Sequence, residues 1–495
     1  MKKLSLKIIL APLCMVVVFT FCSKKLDQTD ENRPTTESYF KTANELLAGV
    51  NGAYSTMRSP GLVGREWFFL HDCRADENSA GGGQLEAPRR ELLEQPTPAT
   101  SNSVMSDVWR GLYIMINRVN GVITKAPTVT DDVTLRDRVV GEAKFLRAWA
   151  YYELVTQWGP VPLYTEPINS ASGFKPKATV DALYTQIVSD LTDAVAKLPA
   201  VYDNNNRGRA TKGAANAMLG RVLMQKGDYA GAKNALNQVI SSGIYSLVPY
   251  MNNFLEETEF NPESIFEVVF FDRGDNNFNW GGYNTGDGAA VPVSTVRNQE
   301  YCPIAWRNLI PSNKYLNEFE PNDPRFKMSI YETGDLYNNN TQTLAAADQN
   351  GESSVVGGVT KKISWRKFML IYKSNNTFQP GGINQRLIRY ADVLLMMAEC
   401  EAEAGTLPNA VGFINQVRSR PGVAMPNVNP TTKNDVLKAI MHERMVELGG
   451  EGVRNIDMLR WRAKGYYPSI VPEPKPGQVS LLPIPFAETS ANPHL

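Results

Sequence analysis

Histidine is almost missing from this chain, with His71, His442 and His494 the only three in 495 residues. Little is left for an imidazole metal site or a histidine general base. His442-Glu443 lacks the second histidine that a zinc-protease helix places four residues on, and His494 is next to last. Net charge is missing as well, because 51 lysines and arginines balance 51 aspartates and glutamates. A nucleic-acid partner calls for a basic excess, so none is expected. Cysteine is scarce and badly placed. Beyond Cys14 and Cys22 only Cys73, Cys302 and Cys400 remain, with no CxxC spacing, which excludes a disulfide framework or a cysteine metal site. At most one bridge can form, with Cys73 and Cys302, both read as loop residues, the candidate pair. There is no GxSxG elbow and no Walker glycine loop. Two Asp/Asn-rich segments mimic calcium loops and fail. Asp203-Asn-Asn-Asn-Arg-Gly208 has Arg at its fifth position and Ala214 at its twelfth, and the segment from Asp275 lacks the glycine at six. No metal and no cofactor are expected.

Long apolar runs are confined to the N-terminus. Lys2, Lys3 and Lys7 precede the run Ile8 to Phe21, short for a bilayer span but suited to a signal-peptide core. Cys22 follows at the junction with the polar stretch Ser23-Lys-Lys-Leu-Asp-Gln-Thr-Asp-Glu. A Cys there reads as a bacterial lipoprotein acceptor, cleaved before Cys22 and acylated on it. Val18 suits such a site; Phe21, where a small residue is usual, departs from it. The chain is therefore read as exported and lipid-anchored rather than membrane-spanning.

The most distinctive internal stretch is Gly141-Glu-Ala-Lys-Phe-Leu-Arg-Ala-Trp-Ala-Tyr-Tyr-Glu-Leu-Val-Thr-Gln-Trp-Gly159. Its residue types favour helix until Gly159-Pro160 stops it. At 100° per residue its apolar side chains point three ways: Phe145/Trp149/Tyr152, Leu146/Ala150 and Tyr151/Leu154/Trp158. A helix apolar nearly all round is enclosed by neighbours, so other elements should pack around it.

Helical periodicity recurs at 37–57, 104–125 and 180–198. Two helices, 210–226 and 228–242, join at Gly227, and Leu219, Gly220, Ala232 and Leu236 fall where a tetratricopeptide repeat places its packing residues. A weaker copy spans 389–417, with Met397, Ala398, Gly405, Ala410 and Ile414 at the same intervals. A further helix is read at 436–448, and Arg65–Asp76 as a short apolar run leading into a polar loop that ends at Gly81-Gly-Gly. Residues 260–385 differ: a strand-like run Ile265–Phe271 precedes long Asn/Gly-rich segments set with Trp280, Tyr283, Tyr301 and Trp306. Loops of that length in a compact protein are usually functional or disordered, and the aromatics argue against simple disorder.

Glu443, Glu447, Glu451 and Asp457 offer paired carboxylates, the requirement of a glycosidase. Arg444, Arg454 and Arg460 alternate with them, a ladder that is usually structural. The aromatic loops carry the positive case. Sugar rings present C–H faces that stack on Trp and Tyr, while Asn, Asp and Arg bond hydroxyls. Trp280, Tyr283, Asn284, Trp306 and Arg307 supply those types, and Asp72, Arg74 and Asp76, with Asn78, add a candidate polar wall.

Taken in order, Trp109-xxx-Tyr113-xxx-Asn117, Gly141–Arg147 through Trp158-Gly-Pro-Val-Pro162, Arg209-Ala-Thr-Lys-Gly-Ala-Ala215, Asp323-Pro-Arg325, Arg389-Tyr-Ala-Asp392, Glu443-Arg-Met-Val-Glu447 to Arg460-Trp461, and Leu482-Pro-Ile-Pro485 with Asn492-Pro493 resemble the SusD/RagB family of outer-membrane nutrient-binding lipoproteins. The resemblance implies a mainly α fold, an array of tetratricopeptide-like hairpins with long irregular loops and a few short strands. It implies a signal peptide over 1–21, a lipidated tether over 22–36 and one domain over 37–495. Within that domain the helical scaffold is 37–258 and 386–462, the loop-rich ligand-binding insertion 259–385 and the C-terminal tail 463–495. It further implies non-catalytic binding of oligosaccharide or polysaccharide on the cell surface, as a lid over a SusC-type TonB-dependent transporter in the outer membrane. The alternatives are a peptide or another nutrient as ligand, or a protein–protein adaptor without one. One departure stands out. Glycan-binding members often carry an aromatic shortly before the helix of Trp109, where this chain reads Gln95-Pro-Thr-Pro-Ala-Thr-Ser-Asn.

Overall fold

The computed structural model describes residues 39–272, 278, 293–375 and 380–495. Its organising helix is α5. In chain order the helices that precede it are α1 (Ala43–Met57), α2 (Glu66–Arg74), α3 (Ala87–Glu94) and α4 (Ser103–Lys125), and α5 itself is Val133–Trp158. The Asp132 side chain caps α5 by accepting from the Leu135 N–H, so the helix begins a full two turns before Gly141. From Gly141 to Trp158 every residue but Lys144 is buried. The charged side chains in that run are all paired, Lys144 with Asp193 at 2.9 Å among them. Arg147 clamps Asp190 at 2.7 and 2.8 Å, Glu142 accepts from Arg209 Nη1 at 2.8 Å, and Glu153 meets His71 Nε2 at 2.8 Å. Gly159 ends the helix at φ +73°, where a Cβ would also lie 2.8 Å from Leu481, so both backbone and space call for glycine.

Helices α6 (Val180–Lys197), α7 (Lys212–Lys226) and α8 (Tyr229–Ile240) extend the layer from α5. Gly227 takes the left-handed conformation between α7 and α8, and Gly220 brings them close, because a Cβ there would lie 2.5 Å from Leu236. The next repeat is α12 (Tyr390–Ala404) with α13 (Leu407–Arg418), packed against α8 although some 150 residues later in the chain. Helices α14 (Lys433–Leu448) and α15 (Arg454–Ala463) follow, and α16 (Phe486–Ala491) lies in the tail. The tail folds back onto the start of the array: Trp158 Nε1 donates to Pro483 O at 3.1 Å and Trp109 Nε1 to Glu488 at 3.2 Å.

Between α8 and α12 lie the short helices α9 (Arg297–Tyr301), α10 (Asn313–Glu318) and α11 (Arg325–Ser329). The strands that matter here are β1 (Asn78–Ala80), β2 (Ser264–Val268), β3 (Leu309–Pro311), β4 (Ile330–Glu332), β5 (Ile363–Trp365) and β6 (Gln385–Arg389). They pair antiparallel as β1–β3, β2–β6 and β4–β5, and all described sheets are two-stranded. The β2–β6 pair draws the two ends of the loop-rich stretch together, and β6 runs directly into α12. The array thus resumes where it was interrupted.

Three sequence readings change. The run 265–271 is a strand only as far as Val268. The polar loop read from Asp72 is, through Arg74, the buried end of α2. Cys73 is consequently a helix residue and not a loop thiol, and Cys73, Cys302 and Cys400 are buried and form no disulfide.

Candidate functional site

β1 and β3 bring two loops together. The ladder pairs Asn78 with Pro311 and Ala80 with Leu309, and Gly81 N–H continues it to Asn308 O at 2.9 Å. The loop Gly81–Gly83 then lies against the segment 305–308 and against Asn350–Glu352. A Cβ on Gly81 would sit 1.7 Å from Arg307 O, and one on Gly351 1.9 Å from Gly81 O. Only glycine permits that approach. Trp306 stands half-buried on the rim of this junction, its backbone N–H donating to Gln299 O at 3.1 Å. Exposed Gln84 donates to Trp306 O at 3.0 Å and Arg307 O at 3.1 Å, and exposed Asn350 donates to Ala305 O at 3.3 Å. Each amide uses its N–H₂ on backbone carbonyls, which leaves its side-chain oxygen as an acceptor for hydroxyl groups.

The structure separates the other candidates. Arg307 is fully buried and holds the loops rather than facing outward. Its guanidinium donates to Asn350 O at 2.6 Å, Glu352 O and Ile363 O at 2.8 Å, and Ser364 Oγ at 2.7 Å. Burial pushes its pKa down to about 10, against a smaller opposing pull from the Glu352 carboxylate. Asp72 is also interior, accepting from Tyr301 Oη at 2.8 Å and Arg297 Nη2 at 3.1 Å. Burial raises its pKa against the opposing pull of Arg297. Arg297 in turn lies over Phe68, Tyr301 and Phe368 and donates to Gly450 O at 2.6 Å, so Asp72 anchors the helix that leads to Trp306. Asp76 binds Arg454 at 2.7 and 3.0 Å and also Lys314. Burial would raise its pKa, but the two cations outweigh it and hold it well below the usual carboxylate range. Arg74 donates to Val479 O and is pushed down to about 10 by burial. Asn78 bridges Asp72 O at 3.1 Å and Trp365 Nε1 at 2.8 Å. The expected polar wall is therefore a set of interior pegs, because a charge without a partner inside a protein is too costly to leave. Trp280, Tyr283 and Asn284 lie outside the described residues.

The carboxylate ladder is taken up by internal ion pairs. Glu443, Glu447, Glu451 and Asp457 are all buried, paired with arginines and Lys367. Among the described residues no three His, Cys, Asp or Glu side chains converge as metal ligands, and no helix is long and apolar enough to cross a membrane.

Residues 262–495 match the family model described as the SusD family, and residues 90–224 match one described as starch-binding associating with outer membrane. The chain belongs to the SusD family. A SusD-like protein of Formosa agariphila is 25% identical, with 97% of each chain covered. A solved laminarin-binding SusD-like protein is 26% identical at a TM-score of 0.72, covering 92% of this chain and 98% of its own. A SusD superfamily protein of Bacteroides vulgatus shares the fold at a TM-score of 0.76 and 23% identity, with 92% and 98% covered. In this SusD-family protein the rim residues Gln84 and Asn350 escaped the sequence reading. Their signal was the adjoining glycines, Gly81–Gly83 and Gly351, which mark where backbones must meet.

Proposed function

We propose that this SusD-family protein is a non-catalytic surface lipoprotein that binds oligosaccharide and passes it to a SusC-type TonB-dependent transporter in the outer membrane. The observation that carries the proposal is Trp306, a half-buried residue on a loop fixed from behind by Arg307 and flanked by the exposed side-chain amides of Gln84 and Asn350. An indole face takes a sugar C–H face, and the acceptors take its hydroxyls. The laminarin-binding relative supports a glycan as the ligand class. Trp280, Tyr283 and Asn284 are assigned to the same site on their residue types. Burying an aromatic contributes roughly 1.5–3 kcal/mol, so Trp306→Ala should weaken glycan binding about tenfold or more. Calorimetric titration against a glycan panel tests it; a variant that binds as tightly as wild type removes Trp306 from the site. For the anchor, Cys22→Ala should shift the protein from the membrane to the soluble fraction, and retention in the membrane would discard lipidation at Cys22.

A second reading, a protein adaptor, draws on the polar groove of about 490 Å³ between α8 and α13, lined by Lys233, Asn237, Phe413 and Gln416. Stable co-purification with a barrel, together with no glycan binding across the panel, would favour it.

A further inference from the structure

A second cleft shares no lining residue with the Trp306 rim. It lies between the last turns of α1, the segment Asn205–Arg209 and β2 with Val269, and holds about 420 Å³, within the usual range for small-ligand sites. Asn51, Tyr54 and Arg58 face it at helical spacings of three and four, and Met57, Phe266 and Val268 give it an apolar floor. Gly208 makes the wall possible: at φ +86°, a Cβ on it would lie 2.2 Å from Val269.

The charges in this cleft do not cancel. Arg209 is satisfied by Glu142 at 2.8 Å and Asn51 at 2.8 Å. Glu267 is satisfied too, accepting from Phe260 N at 2.9 Å and Asn384 Nδ2 at 2.8 Å and pairing with Arg386 at 3.0 Å. Glu142 is further engaged by Arg138 and Tyr202. No carboxylate of the described residues pairs with Arg58 or Arg207. Arg58 is half-buried, and its Nε is enclosed without a hydrogen-bond partner. Arg207 is exposed, with its guanidinium over the Phe260 ring at 5.9 Å. Burial without a counter-charge lowers the pKa of Arg58 from the ordinary arginine value; an arriving anion would reverse that penalty.

We propose that this cleft is a second carbohydrate subsite that takes the acid group, carboxylate or sulfate ester, of an anionic glycan between Arg58 and Arg207. A guanidinium presents a planar fork that matches either oxyanion, and the Tyr54 ring lines the same cleft as a stacking surface for the sugar. The proposal rests on the glycan-binding reading and refines its substrate class.

The test uses the exported protein, purified whole, with three probes: an oligogalacturonate, a sulfated galactan oligosaccharide and the neutral laminarihexaose. At least one acidic probe should bind about tenfold tighter than laminarihexaose at low salt, and the preference should shrink at high salt. Arg58→Ala and Arg207→Ala should each lower the acidic-to-neutral affinity ratio by about tenfold, and Arg58→Lys should restore part of it. Whichever acidic probe responds identifies the group. A thermal melt checks folding, and if Arg58→Ala is unstable the exposed Arg207 carries the test. Equal affinity for acidic and neutral probes, or a ratio unchanged in the variants, overturns this subsite alone. Failure of every probe, neutral and acidic, overturns the glycan-binding reading along with it.

Discussion

Glu447 sits at the centre of the largest buried charge cluster, and removing its charge should cost more stability than any surface ion pair. Its Oε1 accepts from Arg389 at 2.7 Å and from Arg420, and its Oε2 accepts from Arg325 at 3.0 Å. Around them the cations Arg325, Lys367, Arg389, Arg418 and Arg420 face the carboxylates Glu263, Glu320, Asp323, Glu443, Glu447 and Glu451. All but Glu320, at the edge, are enclosed. Burial alone would raise the pKa of Glu447, but Arg420, Arg389 and Arg325 outweigh it and hold the carboxyl well below the usual range. Removing one partner from a buried pair costs about 3–5 kcal/mol, because the opposite charge is left uncompensated. In Glu447→Gln each arginine keeps another carboxylate: Glu263 and Glu451 for Arg389, Glu263 for Arg420, Asp323 and Glu443 for Arg325. The expected loss is therefore near the lower bound, about 3 kcal/mol. The control is Glu94→Gln, which breaks the exposed Arg90–Glu94 pair and should cost about 0.3–0.5 kcal/mol. Urea unfolding at neutral pH followed by circular dichroism measures both.

The pH dependence has a definite sign. A folded-state carboxyl with a depressed pKa binds fewer protons than the same group in the unfolded chain, so its stabilisation is complete above the ordinary Glu value and fades as pH falls. The gap between wild type and Glu447→Gln should therefore narrow from about pH 4 downward. A Glu447→Gln loss no larger than that of Glu94→Gln would refute the assignment, as would a gap that persists unchanged into acid.

Gly81→Ala should weaken glycan binding by moving the loop under Trp306, because its Cβ would fall 1.7 Å from Arg307 O; titration reads it, and unaltered affinity would disconnect that junction from the site. Gly220→Ala should destabilise by about 1–3 kcal/mol through overpacking on Leu236, and a urea midpoint equal to wild type would refute the close α7–α8 approach. Cys73, Cys302 and Cys400 are buried and form no disulfide, so an aromatic disulfide reagent should titrate these three only after denaturation; fast reaction in native buffer would count against their burial.

The scaffold was legible because its signals are local. Ser103–Lys125, Val180–Lys197 and the α7–α8 hairpin follow apolar periodicity closely, with Thr179, Thr211 and Asp228 capping where the pattern begins. The all-round apolarity of Gly141–Trp158 reads directly as burial. The site was legible only in part. Asp72, Arg74, Asp76 and Arg307 look like surface groups in a one-dimensional string, since charged residues usually are. Their partners decide otherwise, and these lie far along the chain: Arg297 for Asp72, Arg454 for Asp76, Val479 for Arg74, Ile363 for Arg307. Periodicity carries no trace of such pairings. The β2–β6 closure is hidden for the same reason, with more than a hundred residues between its strands.

Those interior charges also explain how irregular loops can present a rigid surface. Two-stranded sheets are marginal on their own, and every described sheet here has two strands. Arg307 replaces the missing ladder bonds by drawing the Asn350–Glu352 turn and β5 onto one guanidinium. Arg297 ties α9 to α2 through Asp72 and to the turn after α14 through Gly450 O. Arg325 fastens α11 to α14 through Glu443 and Glu447. Each peg joins the loop-rich stretch to the helical array or to itself by several charge-assisted bonds at once, and breaking any one would leave buried polar groups without partners. A loop held in this way is ordered before any ligand arrives, so at the proposed Trp306 site little binding energy would go into fixing its conformation. The charged residues behind the rim, Arg307, Arg297 and Asp72, are therefore buried away from any ligand. Their work is to hold Trp306, Gln84 and Asn350 in place.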